Sequence, residues 1–144
     1  MKIERIALSG FRNYEEEAVE FGPDVNVITG TNAQGKTNLL EAVHLLTGTH
    51  SFRTRFDKEL IGFGCDWASI LADVDSGGRS QTIRLLLRRG QRRVVTVNAA
   101  KKTSSELSGV MTAVLFSPDD LYLIKEGAAA RRRLMDTAIS QLRA

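Results

Sequence analysis

Apolar positions recur early in strand-like fashion. Ile3, Ile6 and Leu8 predict a first strand ending at Gly10, and Phe11-Arg12-Asn13-Tyr14 follows as a turn. Ala18-Val19-Glu20-Phe21 reads as a second strand closed by Gly22-Pro23. Val25-Asn26-Val27-Ile28-Thr29 is β-branched and mostly apolar, the pattern of a buried strand. The period then changes: Leu39, Leu40, Val43 and Leu46 fall on one face of a helix, and Gly48 offers its stop. Residues 51–57 are polar and basic, an exposed connection. Residues 67–75 predict a strand with Ile70, Ala72 and Val74 on one face, ended by Ser76-Gly77-Gly78. Residues 81–88 and 93–98 predict two strands joined at Arg89-Gly90-Gln91. Ser104 opens a short helix that Glu106 favours electrostatically. Ala113-Val114-Leu115-Phe116 reads as a strand broken by Ser117-Pro118, and the stretch from Arg131 is helical in propensity. That last pattern runs unfinished into Ala144, as expected of a stretch cut from a longer chain.

The change of period brackets a loop with its own chemistry. Gly30-Thr31-Asn32-Ala33-Gln34-Gly35-Lys36-Thr37 has the form G-x-x-x-x-G-K-[ST]. Its glycines let backbone N–H groups close on phosphate oxygens. Lys36 supplies a charge for β- and γ-phosphates, and the Thr37 hydroxyl can ligate Mg²⁺. The helix that follows points its positive end at the same anion. Predicted strand, loop and predicted helix are the context the motif requires.

The 144 residues suffice for one domain, and 42% hydrophobic content marks a globular chain. No apolar run reaches the length of a bilayer span, and the start carries no signal-peptide core. A single cysteine, Cys65, allows no internal disulfide and suits a reducing cytoplasm; it reads as a small packed residue. With two histidines and one cysteine, no metal cluster is expected. The net charge of +3 says little, but its distribution says more. From Arg79 to Ser105 eight residues are basic and none acidic, whereas the first 24 residues carry Glu15, Glu16, Glu17, Glu20 and Asp24. Arg84, Arg88, Arg89, Arg92 and Arg93 can meet a phosphodiester backbone, or can be the solvated face of an antiparallel pair. Few aromatics interleave with them in sequence, so base stacking is not suggested. Arg131-Arg132-Arg133 can face DNA, a nucleotide or acidic residues of another domain, or, for at least two of them, form a solvated helix face.

A hydrolase built on such a loop also needs an apolar strand ending in an acid for Mg²⁺, and a group that aligns water. Ile70-Leu71-Ala72-Asp73 reads as an ordinary strand edge, and Ser117-Pro118 displaces Asp119 from the strand before it. The chain therefore carries half of an ATP site.

Several segments together resemble one family: Phe11-Arg12-Asn13-Tyr14; the loop continued through Asn38-Leu39-Leu40-Glu41-Ala42; Ser51-Phe52-Arg53; Phe116-Ser117-Pro118-Asp119-Asp120-Leu121 with Leu123-Ile124-Lys125; and Arg131-Arg132-Arg133-Leu134-Met135-Asp136. This ordered set resembles the amino-terminal part of the RecF family, bacterial DNA replication and repair ATPases related to SMC and ABC-type ATPases. The resemblance implies an α/β fold of the P-loop NTPase class, an ABC/SMC-type head lobe with a mixed β-sheet and antiparallel hairpins around the phosphate-loop helix. It implies that residues 1–144 form one amino-terminal ATP-binding lobe, with arm domain, signature sequence and Asp-bearing strand elsewhere. It further implies ATP and Mg²⁺ as cofactors, an ATP-dependent homodimer, DNA at single-strand gaps and double-stranded/single-stranded junctions, and RecR, RecO and RecA as partners.

By resemblance the phosphate site comprises Gly30, Thr31, Asn32, Ala33, Gln34, Gly35, Lys36, Thr37 and Asn38, with Thr37 toward Mg²⁺. Arg12 and Asn13 match a segment that packs near the nucleotide; their alternative is a plain turn with a surface arginine. The sequence departs from the pattern at Ala33, where many relatives carry Gly. It also lacks a glutamine near Val114, and Ala128-Ala129 follows Gly127 where a Gly-x-Pro is common. No catalytic residue is expected within the chain, and hydrolysis by it alone should be negligible. The rival readings are a stand-alone P-loop kinase or GTPase, and a basic anion- or DNA-binding module without catalysis.

Overall fold

The computed structural model describes residues 1–107 and 109–116, together with residues 128, 132, 135, 136 and 139. Six strands form one sheet: β1 (Lys2–Phe11), β2 (Tyr14–Glu20), β3 (Trp67–Ser76), β4 (Arg79–Arg88), β5 (Val94–Val97) and β6 (Ala100–Lys102), in the order β2-β1-β3-β4-β5-β6. All five pairings are antiparallel. Between β2 and β3 the chain leaves the sheet, forms helix α1 (Lys36–Leu45) and a single 3-10 turn (Asp57–Glu59), and returns beside β1.

Three two-residue turns set the registers. Gly77 and Gly78 both have positive φ, 62° and 80°, and hold Ser76 opposite Arg79, so β3 and β4 pair over ten residues. This is the mirror-image turn whose twist suits a hairpin. Asn98 and Ala99, at φ 49° and 66°, do the same between β5 and β6. Arg12, at φ 54°, turns β1 into β2 with Phe11 opposite Tyr14.

Side chains alternate across the strands, so one sheet face carries Ile6, Leu8, Ala68, Ile70, Ala72, Val74, Ile83, Leu85, Leu87, Val95 and Val97, all buried. Leu39, Ala42, Leu45 and Leu46 of α1 and its end join the same core, with Leu60, Ile61, Leu107 and Met111. Each large side chain buried there stabilises the fold by about 1.5–3 kcal/mol. Gly48 lies just past α1 at φ +81°, and a Cβ there would stand 2.0 Å from the Ser104 carbonyl oxygen. The predicted stop is therefore also a close packing point against the short helix α2 (Ser104–Leu107). The Glu106 carboxylate accepts from the Thr103 N–H at 2.8 Å and from its hydroxyl at 2.8 Å. Those bonds hold its pKa down at about 2.

Three local expectations are corrected. Residues 25–29 form no strand, and Val25 and Val27 are 87% and 79% exposed. A strand needs neighbours for its N–H and C=O groups, and no described strand lies beside this segment. Residues 113–116 also form no strand, with Val114 98% exposed. On α1, Leu40 faces solvent and Glu41 faces inward, so the buried stripe is Leu39, Ala42, Leu45 and Leu46. Strand β6 was not anticipated; Asn98, which tolerates left-handed backbone, was its available signal.

Asp119 and the segment around it, and Arg131 and Arg133, lie outside the described residues. Residues 128, 132, 135, 136 and 139 are helical and exposed. Among the described residues no helix is long and apolar enough to cross a membrane.

Candidate functional site

The loop of residues 30–37 owes its path to left-handed backbone. Gly30 has φ 149°, Ala33 66° and Gly35 102°. Alanine at +66° is strained by about 1–2 kcal/mol, so the surrounding structure must hold it. Gly35 is the N-cap of α1, and no side chain caps its first N–H groups. No acidic residue occupies its first turn. The start of α1 therefore presents backbone donors and a positive dipole end with no competing carboxylate. The Lys36 ammonium folds over the loop and donates to the Gly30 and Thr31 carbonyls, each at 2.7 Å.

The β1–β2 turn buttresses this loop. Tyr14 donates its hydroxyl to the Gly35 carbonyl at 3.1 Å, and Asn38 Nδ2 donates to Asn13 Oδ1 at 2.7 Å. A Cβ at Gly35 would lie 2.8 Å from Asn13 Oδ1 and 2.9 Å from the Tyr14 hydroxyl. Gly35 is thus required twice, by its φ and by the turn packed on it. Burial pushes the Tyr14 phenol up, and the nearby Glu17 charge adds to this.

Arg12 is only partly exposed. Its guanidinium turns inward and grips Glu41 with two bonds, Nε to Oε2 at 2.8 Å and Nη2 to Oε1 at 2.7 Å. Nη1 donates to the Glu59 carbonyl at 2.8 Å, and the Arg12 N–H donates to the Leu60 carbonyl at 2.9 Å. Glu41 is fully buried and also accepts from the Ser51 hydroxyl, while Arg53 Nη1 stands 3.5 Å from its Oε2. Arg53 donates to Asn38 Oδ1 at 2.5 Å. One carboxylate therefore ties the β1–β2 turn, α1 and the connection after α1 into a single support beneath the loop. Sequence reasoning did not single out Glu41. Its signal was an acid inside an apolar helical stripe, which demands a buried partner.

Asn13 and Arg12 thus close a turn and also pack on the loop and its helix. The five arginines of the basic stretch do not act as one patch. Arg93 is committed to Asp57, with Nε 2.8 Å from Oδ2 and a second contact from Nη2, and donates to the Thr49 carbonyl at 3.0 Å. Arg84 lies on the sheet face away from the core, near Ser69. Arg89 donates to the Cys65 carbonyl at 2.9 Å. Arg88 and Arg92 border a surface groove beside Phe56. Asp73, weighed as an acid for Mg²⁺, accepts from the Thr82 hydroxyl at 2.8 Å across the β3–β4 ladder. His44 packs edge-on to Phe52, and burial holds its pKa below the ordinary value against the pull of Glu41.

A glycine-rich turn feeding the open start of a helix, laid against an antiparallel sheet, defines a P-loop lobe of the ABC/SMC ATPase-head type. Residues 2–122 match the model of the RecF/RecN/SMC N terminal domain family, and the chain belongs to that family. Within it the chain is similar to the DNA replication and repair protein RecF. It is 41% identical over 144 residues to that of Acetivibrio thermocellus (99% of this chain, 39% of the relative). It is 44% identical over 143 residues to that of Agathobacter rectalis (99% and 40%). A solved structure of the recombination mediator protein RecF-ATP in the RecFOR pathway superposes with TM-score 0.89 at 36% identity, covering 97% of this chain and 39% of that one. The chain spans about two fifths of the length of the curated relatives it matches.

Proposed function

We propose that this chain is the ATP-binding part of a DNA replication and repair ATPase. The observation that carries this is the open start of α1. Uncapped N–H groups, no first-turn acid and the Lys36 ammonium all converge on residues 30–37. In this reading Gly30, Thr31, Asn32, Ala33, Gln34 and Gly35 wrap the triphosphate with backbone N–H groups. Lys36 exchanges its two carbonyls for phosphate oxygens, and Asn38, Arg12 and Asn13 keep the loop in shape. The chain's contribution to Mg²⁺ is the Thr37 hydroxyl, a hard oxygen donor. Among the described residues no three His, Cys, Asp or Glu side chains gather as a metal cluster. That donor set fits an ion that arrives with phosphates and keeps several waters. Bound there, Mg²⁺ neutralises charge on the phosphates.

In our reading hydrolysis needs parts outside this stretch. The further steps of the reading rest on the resemblance alone. ATP joins two copies, the dimer binds DNA at gaps and junctions, and with RecR and RecO it supports RecA loading. A stand-alone kinase would instead transfer phosphate to an acceptor in isolation, and a bare binding module would ignore ATP.

Thermal unfolding with and without Mg·ATP tests the reading. Ligand at ten times its Kd adds about 1.4 kcal/mol of stability. The rise in Tm should appear in the wild type and vanish in Lys36→Ala. An equal rise in both, or none in the wild type, overturns it.

A further inference from the structure

The connection after α1 and the β4–β5 turn meet at the surface in a groove of about 350 Å³, lined by Arg55, Phe56, Asp57, Lys58, Arg88 and Arg92 among others. These residues are far apart in sequence, which is why the basic stretch taken alone carried no ring for a base. Asp57, the acid among them, is already neutralised by Arg93. Arg55, Lys58, Arg88 and Arg92 form no ion pair with any described residue. Four cations therefore face solvent around one spent carboxylate.

Phe56 stands among them 60% exposed. Its backbone is fixed: its N–H donates to the Thr54 hydroxyl at 3.2 Å, and its carbonyl accepts from Glu59 at 3.0 Å. The Lys58 ammonium lies 5.5 Å from the ring centre. A second exposed ring, Trp67, sits directly opposite Arg88 in the β3–β4 ladder, outside the groove's own lining. An exposed ring on a pinned backbone among cations without an ion pair suits unpaired bases on a phosphate backbone, because every base offers a face to stack and each phosphate needs a cation. A duplex keeps its bases stacked inside and cannot use such a ring.

We propose that this groove binds a single-stranded nucleic-acid segment, with a base stacked on Phe56 and phosphates held by Arg55, Lys58, Arg88 and Arg92. The proposal rests on the DNA reading above and specifies its strand state and its residues.

Fluorescence anisotropy of a labelled oligothymidylate, and of a duplex of equal length, tests it on the full chain. Phe56→Ala should weaken oligothymidylate binding about tenfold and leave the duplex unchanged. Phe56→Leu, which keeps the bulk and loses the ring, should fall with it, and Phe56→Tyr should hold. Arg88→Glu with Arg92→Glu should weaken both ligands and reduce the salt slope on oligothymidylate by about 1.4. Unchanged oligothymidylate affinity in Phe56→Ala, an equal loss on both ligands, or no oligothymidylate binding by the wild type overturns the proposal. The Mg·ATP shift in Tm, read on the same samples, separates the two readings. Its loss removes the nucleotide site, and the oligonucleotide result still decides the groove.

Discussion

Glu41→Gln is the sharpest probe of how the loop is supported. Glu41 is fully buried and takes two donors from Arg12 and one from Ser51, with Arg53 3.5 Å away. Glutamine keeps the shape but removes the charge and turns an N–H₂ toward groups that are all donors. Hydrogen bonds to a charged group contribute about 1.5–3 kcal/mol each, and breaking a buried ion pair costs about 3–5 kcal/mol. Arg12 keeps some solvent access, with 18% of its side chain exposed, and can recover part of that loss in water. The expected destabilisation is therefore about 3 kcal/mol, or roughly 10 °C in Tm for a chain of this size. Urea unfolding followed by the fluorescence of Trp67, the single tryptophan, measures it. A double-mutant cycle with Arg12→Leu and Glu41→Leu completes the test. The double mutant should be less destabilised than the two single losses combined, because no buried charge is stranded. A Glu41→Gln loss within about 0.5 kcal/mol of zero, the range of an ordinary surface change, would refute the reasoning. So would additive losses in the cycle.

Two further outcomes follow from the packing and titration. Gly48→Ala places a Cβ 2.0 Å from the Ser104 carbonyl oxygen at φ +81°. Strain and overlap together should cost more than about 2 kcal/mol by urea unfolding, and a neutral result would mean that α1 and α2 do not meet there. His44 is held below its ordinary pKa of 6.5 by burial. The unfolded chain therefore takes up that proton first, so stability is full above 6.5 and declines as pH falls through and below that value. Unfolding midpoints between pH 7 and pH 5 should show this slope, flattened in His44→Asn; an unchanged slope in the variant assigns it elsewhere.

Much of the architecture was legible because it is written in local rules. Ile70, Ala72 and Val74 alternate, Gly77-Gly78 admits the positive φ of a tight mirror-image turn, and residues 30–37 announce a phosphate loop by spacing. The basic stretch was legible as charge but not as arrangement. Nothing in the order of residues says that Arg93 turns to Asp57 while Arg92 lines a groove with Phe56. Residues 25–29 and 113–116 show the opposite limit. Their β-branched and apolar composition describes what a strand would need, yet a strand also requires partners, and no described strand supplies them.

By itself the sequence determined the G-x-x-x-x-G-K-[ST] spacing and the helix behind it, the hairpins from β1 to β2 and from β3 through β4 to β5, and the family to which they belong. The loop, helix and hairpins depend on residues close together in the chain, where backbone geometry and periodicity act directly, and the family on the order of such motifs along it. Only the tertiary structure decided that Arg12, Glu41, Ser51 and Arg53 form one buried network under the loop. It also decided that the cations of one segment meet the exposed ring of another. Those contacts join residues ten or more positions apart, and a buried charge or a solvent-facing ring gains its meaning only from the neighbours that folding brings to it.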